Sequence, residues 1–286
     1  MPRPEILISI SGMGDPETGD TDEWAQALFP TGALVNRGGE KTMEVDGGGR
    51  VIQLIEVLYE DSNEAIRQKF ENLGHLLPVE TPEEMKGTLE DYALDVVENV
   101  LLKAALDASQ LRFVQAYNAA LDVARRLVGE TGNVRQAKIG VLAHSLGTLI
   151  AYEGICRAFD TALITSIVDV NVVLCAPMLA PIHHVMQLLG EDRYLTRNGC
   201  NKPYQRAASG RFYSIIRQCL LIYDRRDPFR LIQDMSFYER SRDNDLVDEF
   251  RLYDSGTPRE RFWEGHSMIE SYIANNREAI VSWLLP

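Results

Sequence analysis

Lys138-Ile139-Gly140-Val141-Leu142-Ala143-His144-Ser145-Leu146-Gly147-Thr148-Leu149-Ile150-Ala151-Tyr152 is the stretch that decides the fold of this chain. Ile139 to Ala143 is a short run of apolar and small residues, the composition of a strand covered on both faces. A helix-forming run starts after Gly147. Ser145 sits on the turn between the two. A strand-to-helix turn this sharp strains the backbone at the serine and projects its hydroxyl above the sheet. The residues two before and two after the serine then pass close together, so both must be small. Ala143 and Gly147 meet that demand. A helix opening here aims its first N–H groups toward the serine, which favours negative charge developing beside it.

Further apolar runs lie on either side. Ile6–Ile10, Val51–Leu58, Val170–Leu174, Cys219–Tyr223 and Val247–Tyr253 read as strands. Helical segments fall between them, at Leu89–Leu102, Leu111–Val128 and Met268–Leu285. In the second of these, Leu111, Val114, Tyr117, Leu121, Ala124 and Val128 recur at three- and four-residue steps, which predicts one buried face. The third opens with Ser267 and Glu270 in capping-box spacing. Strands alternating with helices predict an α/β fold, a mostly parallel central sheet with helices on both faces. No internal repeat or low-complexity linker interrupts the pattern, so residues 1–286 read as one domain. The Gly-rich loop over 30–50 and the stretch 177–214 exceed a minimal core, and the latter is the candidate lid or cap insertion. Residues 63–134 read as an extended helical crossover.

The formal net charge is −13, from 29 Lys and Arg against 42 Asp and Glu, with 45% hydrophobic residues. That balance excludes a disordered chain. It argues against nucleic acid, whose phosphates need clustered cations, and against docking on anionic lipid. No run approaches the roughly 18 apolar residues of a membrane span, and the apolar Ile6–Ile10 run is too short for a signal-peptide core. The expected location is the cytoplasm. Cys156, Cys175, Cys200 and Cys219 form no CxxC pair, so zinc and thioredoxin readings fail, and reduced core thiols are expected. The acidic run Asp15, Glu17, Asp20, Asp22, Glu23 lacks EF-hand spacing and reads as a solvated loop in which Asp20 caps a short helix. Gly47-Gly48-Gly49 precedes a strand and lacks the Lys-Ser/Thr of a phosphate loop, so it reads as a connector. Neither a metal nor a cofactor is called for.

Around Ser145 the chain resembles the α/β-hydrolase superfamily of serine hydrolases, in its esterase- and lipase-like members. Ala143 replaces the more usual first glycine. The resemblance implies a nucleophile, then an acid, then a histidine in chain order. His183 and His184 lie in the apolar Ile182–Leu189 run, on a cap helix. His266 follows the last strand and precedes the last helix, the place of the superfamily's catalytic histidine. Asp227 matches the acid in Asp224-Arg225-Arg226-Asp227-Pro228-Phe229, with Asp224 as the alternative acid. The oxyanion donors implied are the backbone N–H of Leu146 and, from Ser11-Gly12-Met13-Gly14, that of Met13. Ser11 replaces the family's histidine there. Gly12 lets the backbone approach substrate. His144 packs beside the nucleophile. Trp24, Phe29, Met178 and Leu179 are equally good as an acyl pocket or as core. Arg225 and Arg226 read as surface salt-bridge residues, or as partners of an anionic substrate group.

The function implied is hydrolysis of a small-molecule carboxylic ester through Ser145, His266 and Asp227. A thioesterase, phospholipase or acyltransferase shares this apparatus. A non-catalytic binding protein on the same fold is the reading from a different class.

Overall fold

The computed structural model describes residues 3–12, 19–58, 103–129, 132–162, 167–188, 190, 192–207, 209–227, 229, 235–239, 246–256 and 265–286. Its strands are β1 Glu5–Ile10, β2 Ala33–Arg37, β3 Glu40–Val45, β4 Arg50–Glu56, β5 Lys138–His144, β6 Val170–Cys175, β7 Gln205–Arg206, β8 Phe212–Tyr213, β9 Ile216–Asp224 and β10 Glu249–Tyr253. Its helices are α1 Asp20–Leu28, α2 Lys103–Val128, α3 Gly147–Thr161, α4 Leu179–Leu188, α5 Tyr194–Asn198, α6 Met235–Glu239, a π turn Met268–Ile273 and α7 Ala274–Leu284.

An eight-stranded sheet runs in the order β10-β9-β6-β5-β1-β4-β3-β2. Neighbours from β10 to β4 are parallel, and β2, β3 and β4 pair antiparallel. This is the mostly parallel α/β sheet the sequence predicts. Every residue of β6 and all but the first of β5 are buried, as continuous apolar runs in a two-sided sheet require. Helices α1 and α7 pack on one face, and α2 and α3 on the other. Gly140 faces α7 so closely that a Cβ there would stand 3.0 Å from the Leu284 Cβ. Gly154 of α3 seats Phe113 of α2 in the same way, at 2.5 Å.

Four expectations are corrected. The stretch 30–50 is the β2–β3 hairpin, not a loop. Gly38 and Gly39 turn it with φ of 62° and 88°, the pair of positive angles a two-residue hairpin turn needs. The strands escape the sequence pattern because β2 lies at the sheet edge, with its residues exposed or half-buried. Second, the buried face of α2 is Phe113, Ala116, Tyr117, Ala120, Leu121 and Ala124, and Leu111 is 45% exposed. Tyr117, Leu121 and Ala124 belong to both the expected and the observed face, and Phe113 joins them against Gly154 of α3. Third, α1 has no side-chain cap of its own. Glu56 at the end of β4 accepts the N–H groups of Gly19 and Thr21, at 2.9 and 3.0 Å. Fourth, the connector at Gly47-Gly48-Gly49 is more regular than expected, since Asp46–Gly48 form a short 3₁₀ turn between β3 and β4.

The Leu89–Leu102 helix and much of the 63–134 crossover lie outside the described residues, as do Asp15 and Glu17. The stretch 177–214 forms α4, α5 and the small antiparallel ribbon of β7 and β8. His183 and His184 sit on α4. Glu153 of α3 holds α5 in place by accepting the Leu195 N–H at 2.6 Å and the Gln110 side chain at 2.9 Å. All four cysteines are buried and none forms a disulfide. Among the described residues no helix is long and apolar enough to cross a membrane.

Candidate active site

Ser145 follows the last residue of β5, and α3 opens at Gly147. The serine adopts φ of 52°, a left-handed conformation that costs a non-glycine residue free energy. Its N–H donates to the Cys175 carbonyl at 3.0 Å, which carries the β5–β6 ladder one residue past the strand. Its own carbonyl accepts the N–H of Thr148 at 3.1 Å and the Thr148 hydroxyl at 2.6 Å. A Cβ on Gly147 would stand 2.3 Å from the Ser11 carbonyl oxygen and 2.7 Å from that of Ile10. The neighbour that forbids a side chain at Gly147 is therefore the end of β1. Gly12 is equally confined, because a Cβ there would come within 2.8 Å of the Ser145 Cβ. The close approach at Gly12 is thus to the serine itself.

Ser145 is 1% exposed, and among the described residues its hydroxyl has no hydrogen-bond partner. The Nε2 of His144 is buried and without a partner in the same way. Burial pushes the His144 imidazole well below the usual range, with the nearby His266 adding to it, so the ring is neutral at ordinary pH.

Asp227 lies in the turn after β9. Its Oδ2 is 2.8 Å from His266 Nδ1, and its Oδ1 accepts the Phe229 N–H at 2.8 Å. Asp224, the alternative acid, is occupied elsewhere. It accepts the N–H groups of Arg226 and Ser255 and the Ser271 hydroxyl, at 2.9, 3.2 and 2.6 Å. The His266 ring centroid lies 4.6 Å from that of His144 and 4.6 Å from that of Phe229. The carboxylate–imidazole pair is thereby set against the residue that precedes the serine. Gly265 permits this, since a Cβ there would stand 2.7 Å from the Arg226 carbonyl.

Leu146 forms the N-cap of α3, which puts its N–H beside the serine. Met13, the second expected oxyanion donor, lies outside the described residues. Met178 is buried and its N–H donates to the Thr148 hydroxyl at 3.0 Å, so its backbone braces the serine turn. Trp24 packs edge-on against His144. Arg226 pairs with Asp254 at 2.8 Å, the surface salt-bridge reading.

Sequence reasoning missed Tyr272, whose hydroxyl donates to Asp227 Oδ2 at 2.6 Å, Ser271, whose hydroxyl donates to Asp224, and Thr148, whose hydroxyl donates to the Ser145 carbonyl. Tyr272 gave no signal beyond its place in the apolar periodicity of the last helix. The spacing of Ser267 does carry over, because its hydroxyl accepts the Glu270 N–H at 3.2 Å.

No protein-family model and no curated protein sequence matches the chain. Solved structures do overlap with it. One is EstE5 with PMSF, 11% identical over 97% of this chain and 74% of that one, with a TM-score of 0.44. Another is esterase B from Lactobacillus rhamnosis, 10% identical over 98% and 75%, with a TM-score of 0.44. The same esterase inhibited by a C4-C4 tributyrin phosphonate gives 10% identity over 98% and 77%, with a TM-score of 0.41. Overlap at this level leaves the reading to the geometry of the site.

Proposed function

We propose that this chain is a serine hydrolase of the α/β-hydrolase type that cleaves small carboxylic esters through an acyl-enzyme. The observation that carries the reading is the Asp227–His266 pair, held at 2.8 Å with the His266 ring 4.6 Å from that of His144, the residue before the strained and buried Ser145. A neutral hydroxyl is a poor nucleophile and needs a base oriented by a third group.

In this reading His266 Nε2 takes the Ser145 proton as Oγ attacks the acyl carbon. Asp227 keeps the other ring proton on Nδ1 and stabilises the imidazolium. The N–H groups of Leu146 and Met13 meet the oxyanion. His266 then protonates the leaving alkoxide, and water repeats the sequence on the acyl-serine. The Oγ–imidazole hydrogen bond tightens only when substrate is bound, as is usual for catalytic contacts in ligand-free sites. Gly12 and His144 line the serine, and Met178 braces the turn and borders the acyl group. Residues 1–286 act as one domain, with 177–214 as a lid over the site. The absence of any disulfide among the four cysteines fits the cytoplasm.

The test is a fluorophosphonate probe together with a panel of esters and thioesters of graded chain length. Wild type should be labelled at Ser145 and hydrolyse short neutral esters. Ser145→Ala should lose the label and at least about 10⁴-fold in kcat, with its melting temperature unchanged. Full turnover in the variant, or an unlabelled wild type, overturns the reading.

A further inference from the structure

We propose that Tyr272 is a positioning residue that locks the Asp227 carboxylate and moderates its grip on His266. This rests on the hydrolase reading of the site.

The phenol lies in a network that leaves its hydroxyl one direction to point. It accepts the Asp224 N–H at 3.3 Å, so its own proton is turned toward Asp227 Oδ2 at 2.6 Å. That is the oxygen that also faces His266 Nδ1. Oδ1 is taken by the Phe229 N–H. The carboxylate is thus held from three sides and cannot rotate away from the imidazole.

Tyr272 is fully buried. Burial, and then the charge of Asp227, push the phenol well above its usual range, so it remains a donor at every working pH. A donor on Oδ2 draws charge out of the carboxylate. Less charge then remains to stabilise a protonated His266. Among the described residues, the other titratable groups facing the cluster are His144 at the end of β5, Cys175 at the end of β6, Tyr223 and Asp224 on β9, Arg226 in the turn, and Tyr253 on β10.

The π turn is what makes the contact. The Tyr272 N–H reaches back five residues to the Ser267 carbonyl at 3.3 Å, and the Ser271 N–H shares that carbonyl at 3.1 Å. The widened turn carries consecutive side chains onto the two carboxylates at the end of β9. Ser271 takes Asp224 and Tyr272 takes Asp227. Extra-residue turns of this kind recur at functional sites.

The experiment titrates the His266 ring by NMR in the full chain and follows the acid limb of kcat/KM in the same proteins. Tyr272→Phe removes the donor and should move both midpoints to higher pH, by about half to one pH unit. Site-specific 3-fluorotyrosine at 272 keeps the shape and strengthens the donor, and should move both to lower pH. It also decides the matter if the Phe variant fails to fold. Midpoints that coincide in all three proteins overturn the proposal, whatever the change in melting temperature. If wild type takes no fluorophosphonate label, the hydrolase reading fails by itself. The ring titration needs no substrate and still decides the role of Tyr272.

Discussion

Ser145 keeps its left-handed φ among close-packed neighbours, and two of them, Gly12 and Gly147, have no side chain. Gly147 lies against the carbonyls of Ile10 and Ser11. Replacing it with alanine forces β1 and α3 apart, since carbonyl oxygens in a strand end cannot yield by rotation. Gly147→Ala should lower the unfolding free energy by about 2–4 kcal/mol in urea titrations and slow fluorophosphonate labelling. An unchanged midpoint would show that the turn relaxes. The small-x-Ser-x-small pattern made Gly147 legible, but not that its nearest neighbours are the carbonyls of Ile10 and Ser11. The resemblance favoured Asp227 over Asp224, but no spacing in the sequence separates them, and His266 Nδ1 lies 2.8 Å from Asp227 Oδ2. Both flank one turn, and only the turn's geometry decides which carboxylate meets His266. Tyr272 was hidden for another reason: a tyrosine at helical spacing looks like core until its hydroxyl is given a partner.

At the level of elements, strands with two covered faces were readable from apolar runs alone. Elements on the rim were not. The β2–β3 hairpin carries few buried side chains, and only Gly38-Gly39 marks it. The periodicity of α2 placed Tyr117, Leu121 and Ala124 on its buried face but not Phe113, which packs on Gly154 of α3. Glu153 joins three elements, α2 through Gln110, α3 where it resides, and α5 through Leu195. Burial raises its carboxyl above the ordinary value of 4.5, with the Leu195 N–H opposing. A carboxyl raised in the folded state binds protons more tightly there than in the unfolded chain. Its contribution is therefore full below about 4.5 and fades as pH rises through the folded value. Glu153→Ala leaves buried donors without an acceptor and should cost about 2 kcal/mol at acid pH and less at pH 8. Urea titrations of both proteins across pH 4–8 measure that difference. A cost that grows with pH would contradict it.

For the whole molecule, the charge of −13 first served only to exclude partners. With the candidate site placed, it bears on substrate choice. Arg226, with Arg225 one of the two candidates for a positive patch, is already engaged by Asp254. An ester with a carboxylate on its acyl chain should react about three- to ten-fold more slowly than its neutral isostere at low salt. The gap should close near 1 M salt, where charges are screened beyond about 3 Å. Rates for both esters across a salt series check this, and a constant ratio would rule the field out. The class of fold was legible at this scale because strand–helix alternation admits few topologies. The position of the hairpin in the sheet was not, because it depends on which edge of the sheet the chain reaches first.

The central place of β1 has a consequence for the making of the protein. It pairs with β4, ending at Glu56, on one side and with β5, beginning at Lys138, on the other. During synthesis the first partner is available early, and the second follows on the order of ten seconds later at ordinary elongation rates. Over that interval the β5-side edge of β1 lacks its native partner, and open strand edges recruit other chains. Ser145, one residue beyond β5, comes into place as that interval closes.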